Sequence, residues 1–423
     1  MTPANDAHVF GLRVDRARLQ FVVDCLAVAI VVSLPWSTSA VAILIPVWLI
    51  AFLLTHDVTL IRQELQTAAG GLPAWLWLLA VAGMLWANAS LAERLAGLGG
   101  FHKLLMIPLL LTQFRRSDRG MWVLYGFVAS CSALLLASSF LYVLFYAAPS
   151  HAIYMPGKMP GLLVKDYIAQ SAEFFICASA LLVVAFDRAR ARHWFAASGV
   201  AILAALFLVN IFFVAAGRGT LVVIPLVLVI FGLRQFGWKG ALRACIAGVV
   251  LCAGLWTASP LVRERVTMSL SEVRQYGENR DAPLSSSGIR LELWTKSMQF
   301  VAEAPVIGHG TGAITERFRR AATETPTSMP PVFNPHNQYF GVAIQLGIAG
   351  TALLIAMWLA HLALFRGGGL IAWIGTVIVV QNLVSSLFNS HLFDFFHGWL
   401  YVFGVGVLGG MLRRESDSRR SSM

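Results

Sequence analysis

The chain has 423 residues, 58% of them hydrophobic and only 13% charged, with a mean hydropathy of +0.72 and a net charge of +11. Soluble globular chains carry about 25% charged residues, so composition alone excludes an ordinary water-soluble enzyme. The basic excess suits arginines that anchor cytoplasmic loops of a polytopic membrane protein, and no nucleic-acid partner is expected.

The N-terminal stretch "MTPANDAHVFGLRVDRARLQ" is polar and basic and carries no cleavable-signal pattern. Apolar runs long enough to cross a hydrocarbon core about 30 Å thick then recur along the chain. They predict about twelve transmembrane helices, over 19–35, 39–54, 73–89, 99–114, 121–147, 167–187, 194–215, 220–234, 240–258, 337–364, 369–388 and 393–412. All five cysteines lie inside these runs and read as small core residues. Arg13, Arg16 and Arg18 precede the first span. "RRSDR" at 115–119, "DRARAR" at 187–192, Arg234, Arg366 and the tail "RRESDSRR" follow even-numbered spans, whereas 36–38 and 386–392 carry no Lys or Arg. Both termini are therefore expected in the cytoplasm.

The division this implies is nine spans over 1–258, a loop over 259–336 that is the one sizeable non-membrane part and faces the side opposite the cytoplasm, the periplasm in a Gram-negative host, then three spans over 337–412 and a basic tail over 413–423. Long loops translocate largely regardless of charge, so the arginines of 259–336 do not upset the orientation. Val262, Val266, Leu270 and Val273 recur at helical spacing, as do Leu291, Trp294, Met298 and Val301. Each set predicts a short amphipathic helix. "EAPVIGHGTG" (303–312) reads as a turn-rich link, and "TETPTSMPPVFNP" (323–335) as a Pro-rich return to the membrane.

Orientation decides which polar residues can meet. Arg218 in "AAGRGT", Arg290 in "SSSGIRLELW" and His336 in "PHNQYF" are all expected at the outer water–membrane boundary. Each also has a plainer reading: a snorkelling arginine, a solvated helix charge, a partnered structural histidine. Together they make a candidate anion site with a base beside it. Guanidinium binds phosphate oxygens bidentately and stays charged, and imidazole, with an ordinary pKa of about 6.5, is mostly neutral at pH 7 and can accept a hydroxyl proton. Asn337 and Gln338 are candidates for orienting a sugar or fixing the imidazole tautomer. Glu93, Asp166, Glu173, Glu272 and Asp394 are scattered, and no acid pair or His/Cys cluster has ligand spacing. Neither a metal nor another cofactor is expected. Glu173, inside a span, could pair with Lys165, while Lys158 and Lys165 in the 148–166 loop could add cations to the site.

The run "GRGT", then "SGIRLELWTKSMQFVAEAPVIGHGTG", then "HNQYFGVAIQLGIAGTALL" resembles the C-terminal region shared by O-antigen ligases, O-antigen polymerases and bacterial O-oligosaccharyltransferases. The resemblance covers roughly 200–400. It implies metal-free transfer of a glycan from undecaprenyl diphosphate, with His336 as base, Arg218 and Arg290 on the diphosphate, and Arg265 as a further candidate for it. A single long outer loop points to the ligase, whose acceptor is a sugar of the lipid A core, ahead of the polymerase and the protein-glycosylating relatives. A secondary transporter is the alternative from another class: Asn210, Gln345, Gln381 and Asn382 could line a route or act as helix–helix glue.

Overall fold

Hydrocarbon forces a chain to satisfy its backbone hydrogen bonds internally. The computed structural model describes residues 6–9, 12–55, 58–148, 159–278, 285–324 and 334–422. Among these, a short antiparallel hairpin, β1 (Asp6–Val9) and β2 (Leu12–Asp15), precedes a chain of helices. They are α1 (Arg16–Ser33), α2 (Thr38–Thr55), α3 (Val58–Leu65), α4 (Ala68–Gly83), α5 (Leu91–Gly99), α6 (Met106–Arg116), α7 (Gly120–Ala147) and α8 (Tyr167–Arg190). There follow α9 (Trp194–Phe213), α10 (Arg218–Ala258), α11 (Pro260–Glu278), α12 (Ser286–Glu303), α13 (Ala313–Glu324), α14 (Gln338–Leu364), α15 (Leu370–Ser385) and α16 (Phe395–Ser421).

α15 is buried almost end to end and packs against α8, α10, α14 and α16; α16 in turn lies along α6, and α14 along α4. The peripheral helices turn large apolar side chains outward, among them Ile43 and Ile50 on α2, Phe140 and Val143 on α7, and Ile202 on α9. In water such faces would aggregate; against lipid tails they are at no disadvantage. Several interior polar groups are paired across helices. Asn210 donates to Ser138 at 2.9 Å and accepts from Gln170 at 3.0 Å, and Asn382 accepts from the Trp358 indole at 3.2 Å. These bonds serve helix–helix packing. Glu173 is buried, but among the described residues its carboxylate oxygens have no hydrogen-bond partner, and the Lys165 ammonium lies over the Phe396 ring, 5.9 Å from its centroid.

Among the described residues, seven helices are long and apolar enough to cross a membrane, or nine if two bent pairs each form one span. The pairs are α3 with α4, bent by 89°, and α5 with the His102–Arg116 stretch, bent by 46°. The difference from the expected twelve has physical causes. α1 carries Arg16, Arg18 and Asp24, α15 has only 16 residues, and the expected spans 220–234 and 240–258 join into the single element α10.

α10 is not straight. At Gly237, φ is 64° and ψ −157°, outside the helical region, in a conformation open essentially to glycine. Gly232 and Gly240, which a straight helix would hold about 12 Å apart, are in backbone contact, and a Cβ on Gly248 would lie 4.0 Å from Pro225 Cβ. The element folds into two antiparallel arms. α14 repeats the device at Gly347, with φ 61° and ψ −156°. There a Cβ on Gly350 would come within 3.1 Å of Val342 Cγ1, so the expected span 337–364 is sharply folded rather than one rod.

The break in α14 is filled by the turn-rich 303–312 link. His309 and Gly310 donate their backbone N–H groups to the Ile344 and Gln345 carbonyls at 2.8 and 2.9 Å. Ile348 donates to Pro305 at 2.8 Å, and the Gln345 side chain accepts from the Gly312 N–H at 2.8 Å. The carbonyls and N–H groups freed by the fold are thus satisfied, as buried backbone requires. The segment before the link holds the two expected amphipathic helices, α11 and α12; a third, α13, was not expected. Leu293 and Phe300 of α12, Ile314 and Phe318 of α13 and Ile344 of α14 form a small separate core. Residues 325–333 of the Pro-rich return, and Lys158, lie outside the described residues.

Candidate active site

Arg218 is the first residue of α10, directly after the Gly217 cap, so its guanidinium starts at the positive end of a helix. α11 and α12 pack beside it and bring Arg265 and Arg290 to the same place. All three arginines line one cavity of about 340 Å³, whose other walls include Ser287, Trp294 and Phe388. One side of this space is cationic and the remainder, with Leu221, Val266 and Leu270, is apolar. Such a space fits a group that is anionic at one end and oily at the other.

Each arginine is held differently. Arg218 donates to Ser287 Oγ at 3.1 Å and lies 3.7 Å from Glu272, which also accepts from the Ser287 N–H at 3.1 Å and from its hydroxyl. Arg265 sits over the Tyr167 ring, 4.5 Å from its centroid, and reaches Met159 Sδ at 3.1 Å. Among the described residues Arg290 makes no hydrogen bond or ion pair. Burial first, and then the neighbouring Arg218 charge, push its guanidinium below the ordinary value. Among the described residues, the Nε atoms of Arg218 and Arg265 and the Trp294 indole nitrogen are buried donors without partners. Leaving such donors unmatched costs free energy, and three cations against the single carboxylate of Glu272 leave the cavity net positive. The arrangement is chemically suited to a phosphate-type anion.

His336 stands beside this cavity. It precedes α14 in a left-handed backbone conformation, with φ 51°, unusual for a residue with a Cβ. Its N–H donates to Asn334 Oδ1 at 2.9 Å, and its Nδ1 lies 3.1 Å from Asn389 Oδ1. Phe388, the residue before Asn389, lines the arginine cavity. The half-buried imidazole has a pKa below its ordinary value. Burial is the main cause, the Asn389 bond opposes it, and the Arg290 charge adds to it. The neutral, proton-accepting form is therefore favoured.

Asn337 and Gln338 are both held by hydrogen bonds within the chain. Asn337 caps α14 by accepting from the Tyr339 and Phe340 N–H groups at 2.9 and 3.2 Å, and it donates to the Leu387 carbonyl at 3.1 Å. Gln338, fully buried, accepts from the Leu392 and Phe393 N–H groups at 3.0 and 3.2 Å. Both amides fasten the 386–394 loop to the start of α14 and reach the site through that loop. Sequence reasoning missed Asn334, Asn389 and Ser390 around His336 and placed Glu272 among scattered acids. A neutral amide in a loop carries no spacing signal, and Glu272 meets Arg218 only because α11 folds back over the start of α10.

Residues 203–355, which include all three arginines and His336, match the family described as O-antigen ligase. The match supports membership of the O-antigen ligase superfamily. A protein of Haemophilus influenzae described as "Uncharacterized protein" is 25% identical over 158 residues, or 36% of this chain. That stretch spans 39% of the relative's own length.

Proposed function

From the match of residues 203–355 to the O-antigen ligase family, we propose that the chain is a membrane glycosyltransferase that moves O-antigen polysaccharide from undecaprenyl diphosphate to a sugar hydroxyl of the lipid A core. The observation that carries the reading is the convergence of Arg218, Arg265 and Arg290 on one cavity with His336 beside it. The arginines hold the doubly negative diphosphate, and the apolar wall takes the first part of its lipid chain. The acceptor hydroxyl attacks the anomeric carbon while His336 takes its proton. The bond from that carbon to the phosphate oxygen breaks, and the diphosphate leaves with the bonding pair. One displacement inverts the anomeric centre. The arginines stabilise charge as it gathers on the departing phosphate.

Adding α1, α15 and the second arm of α10 to the nine candidate spans gives twelve crossings. In this arrangement both termini are cytoplasmic and the cavity faces the periplasm, where donor and acceptor are both lipid-anchored. The inner membrane is its setting. The test is transfer by purified protein from lipid-linked glycan to lipid A core. His336→Ala should lower turnover by at least about 100-fold, as for loss of a general base, at normal membrane levels. Chelator should leave the wild type unchanged. Near-normal turnover of His336→Ala would remove the base, and inhibition by chelator that added divalent ion reverses would overturn the metal-free mechanism.

A further inference from the structure

The 386–394 loop contributes Asn389 to the surroundings of His336. Asn389 Oδ1 sits at the centre of a closed set of bonds. The Ser390 backbone N–H donates to it at 2.9 Å, Asn334 Nδ2 donates at 3.3 Å, and His336 Nδ1 approaches to 3.1 Å. Asn334 Oδ1 in turn accepts from the His336 N–H at 2.9 Å and from the Ser390 hydroxyl at 2.7 Å.

The two halves of a carboxamide are easily exchanged, but here the exchange is blocked. A backbone N–H can only donate, so the Asn389 atom facing it is the carbonyl oxygen. That oxygen carries no hydrogen, so the bond to His336 requires the proton to be on Nδ1. In the neutral ring this leaves the lone pair on Nε2, and Nε2 makes no hydrogen bond among the described residues. The left-handed backbone at residue 336 is tied down by the same network, through Asn334.

We propose that Asn389 is the positioning residue for His336: it fixes the Nδ1–H tautomer and aims a free Nε2 at the acceptor hydroxyl. This rests on the reading of His336 as the base. Asn389 acts through the histidine and touches neither substrate. Its oxygen is neutral, so it orients the ring without stabilising the imidazolium as a carboxylate would, and the ring keeps a low affinity for protons. Its other neighbours Asn334 and Ser390 are neutral too, and the charge acting on the imidazole comes from Arg290 on α12.

The experiment measures the transfer reaction against pH for wild type, His336→Ala, Asn389→Leu and Asn389→Asp. Asn389→Leu keeps the side-chain volume and removes the acceptor. Its kcat should fall about 10- to 100-fold, taking as a guide the loss seen when a partner that orients a metal-bound histidine is removed, with little change in KM for the lipid-linked donor. Asn389→Asp keeps the acceptor and adds a charge that favours the imidazolium. It should retain more activity than the Leu variant and shift the acid limb of its pH profile upward by about one unit. Should Asn389→Leu fail to reach the membrane, the Asp profile alone decides. An Asp variant whose acid limb coincides with wild type, or a folded Leu variant with wild-type kcat, overturns the proposal. Wild-type turnover by His336→Ala would instead overturn the base itself, so the two failures are distinct.

Discussion

Arg218 and Arg290 face the same cavity in different circumstances, and their substitutions should read out differently. Arg218 is braced by Ser287 and Glu272, which fixes the plane of its fork. Lysine offers a point charge in place of that fork. Arg218→Lys should therefore lower kcat/KM about 100-fold, or about 2.7 kcal/mol, in the transfer assay; normal activity would reduce Arg218 to an anchor. Arg290 also acts on His336. Its charge helps hold the imidazole pKa below the ordinary value, so removing the charge lets that pKa rise. Arg290→Gln should weaken donor binding and move the acid limb toward about pH 6.5, because the base is then protonated at higher pH. An acid limb that stays in place would separate Arg290 from His336. These residues were legible in the sequence because a lone arginine or histidine at the edge of an apolar run stands out. Asn389 was not, because a neutral amide among "FNSH" signals nothing until it is seen fifty-three residues from its partner.

At the scale of elements, run length and hydropathy located the helices but not their breaks. Gly237 and Gly347 lie inside apolar stretches, where a glycine reads equally well as a packing residue. The fold at Gly347 depends on the 303–312 link that docks into it, a long-range match that local periodicity does not encode. A Cβ at Gly347 would overlap the Val306 carbonyl group and lie 2.6 Å from Ile307 N, and its positive φ adds strain of about 1–3 kcal/mol. Gly347→Ala should lower the unfolding temperature of the detergent-purified protein by several degrees. An unchanged temperature would mean that the clasp between link and helix is dispensable. α13 escaped the reading for a related reason. Its apolar positions, Ile314 and Phe318, are too few to mark a face until they close a core with α12 and Ile344.

Taken whole, the molecule puts a cationic, half-apolar cavity beside a neutral imidazole, at the junction of its membrane helices with the 259–336 segment. Membrane character was legible from composition, and a common boundary for Arg218 and Arg290 from alternation of basic links, whereas Arg265 entered only through the family resemblance. The finished number of crossings was less so, since folded and short helices blur the length criterion. The proposed transfer is tested most directly by lipopolysaccharide from a strain lacking this chain, run on a gel beside the same strain carrying wild type or His336→Ala, with the lipid-linked glycans analysed in parallel. It predicts core-only lipopolysaccharide and long glycan stranded on the carrier lipid in the deletion and in His336→Ala, and a full ladder with wild type. A core bearing a single repeat would make the enzyme a polymerase instead, and an unchanged ladder in the deletion would contradict the proposed transfer altogether.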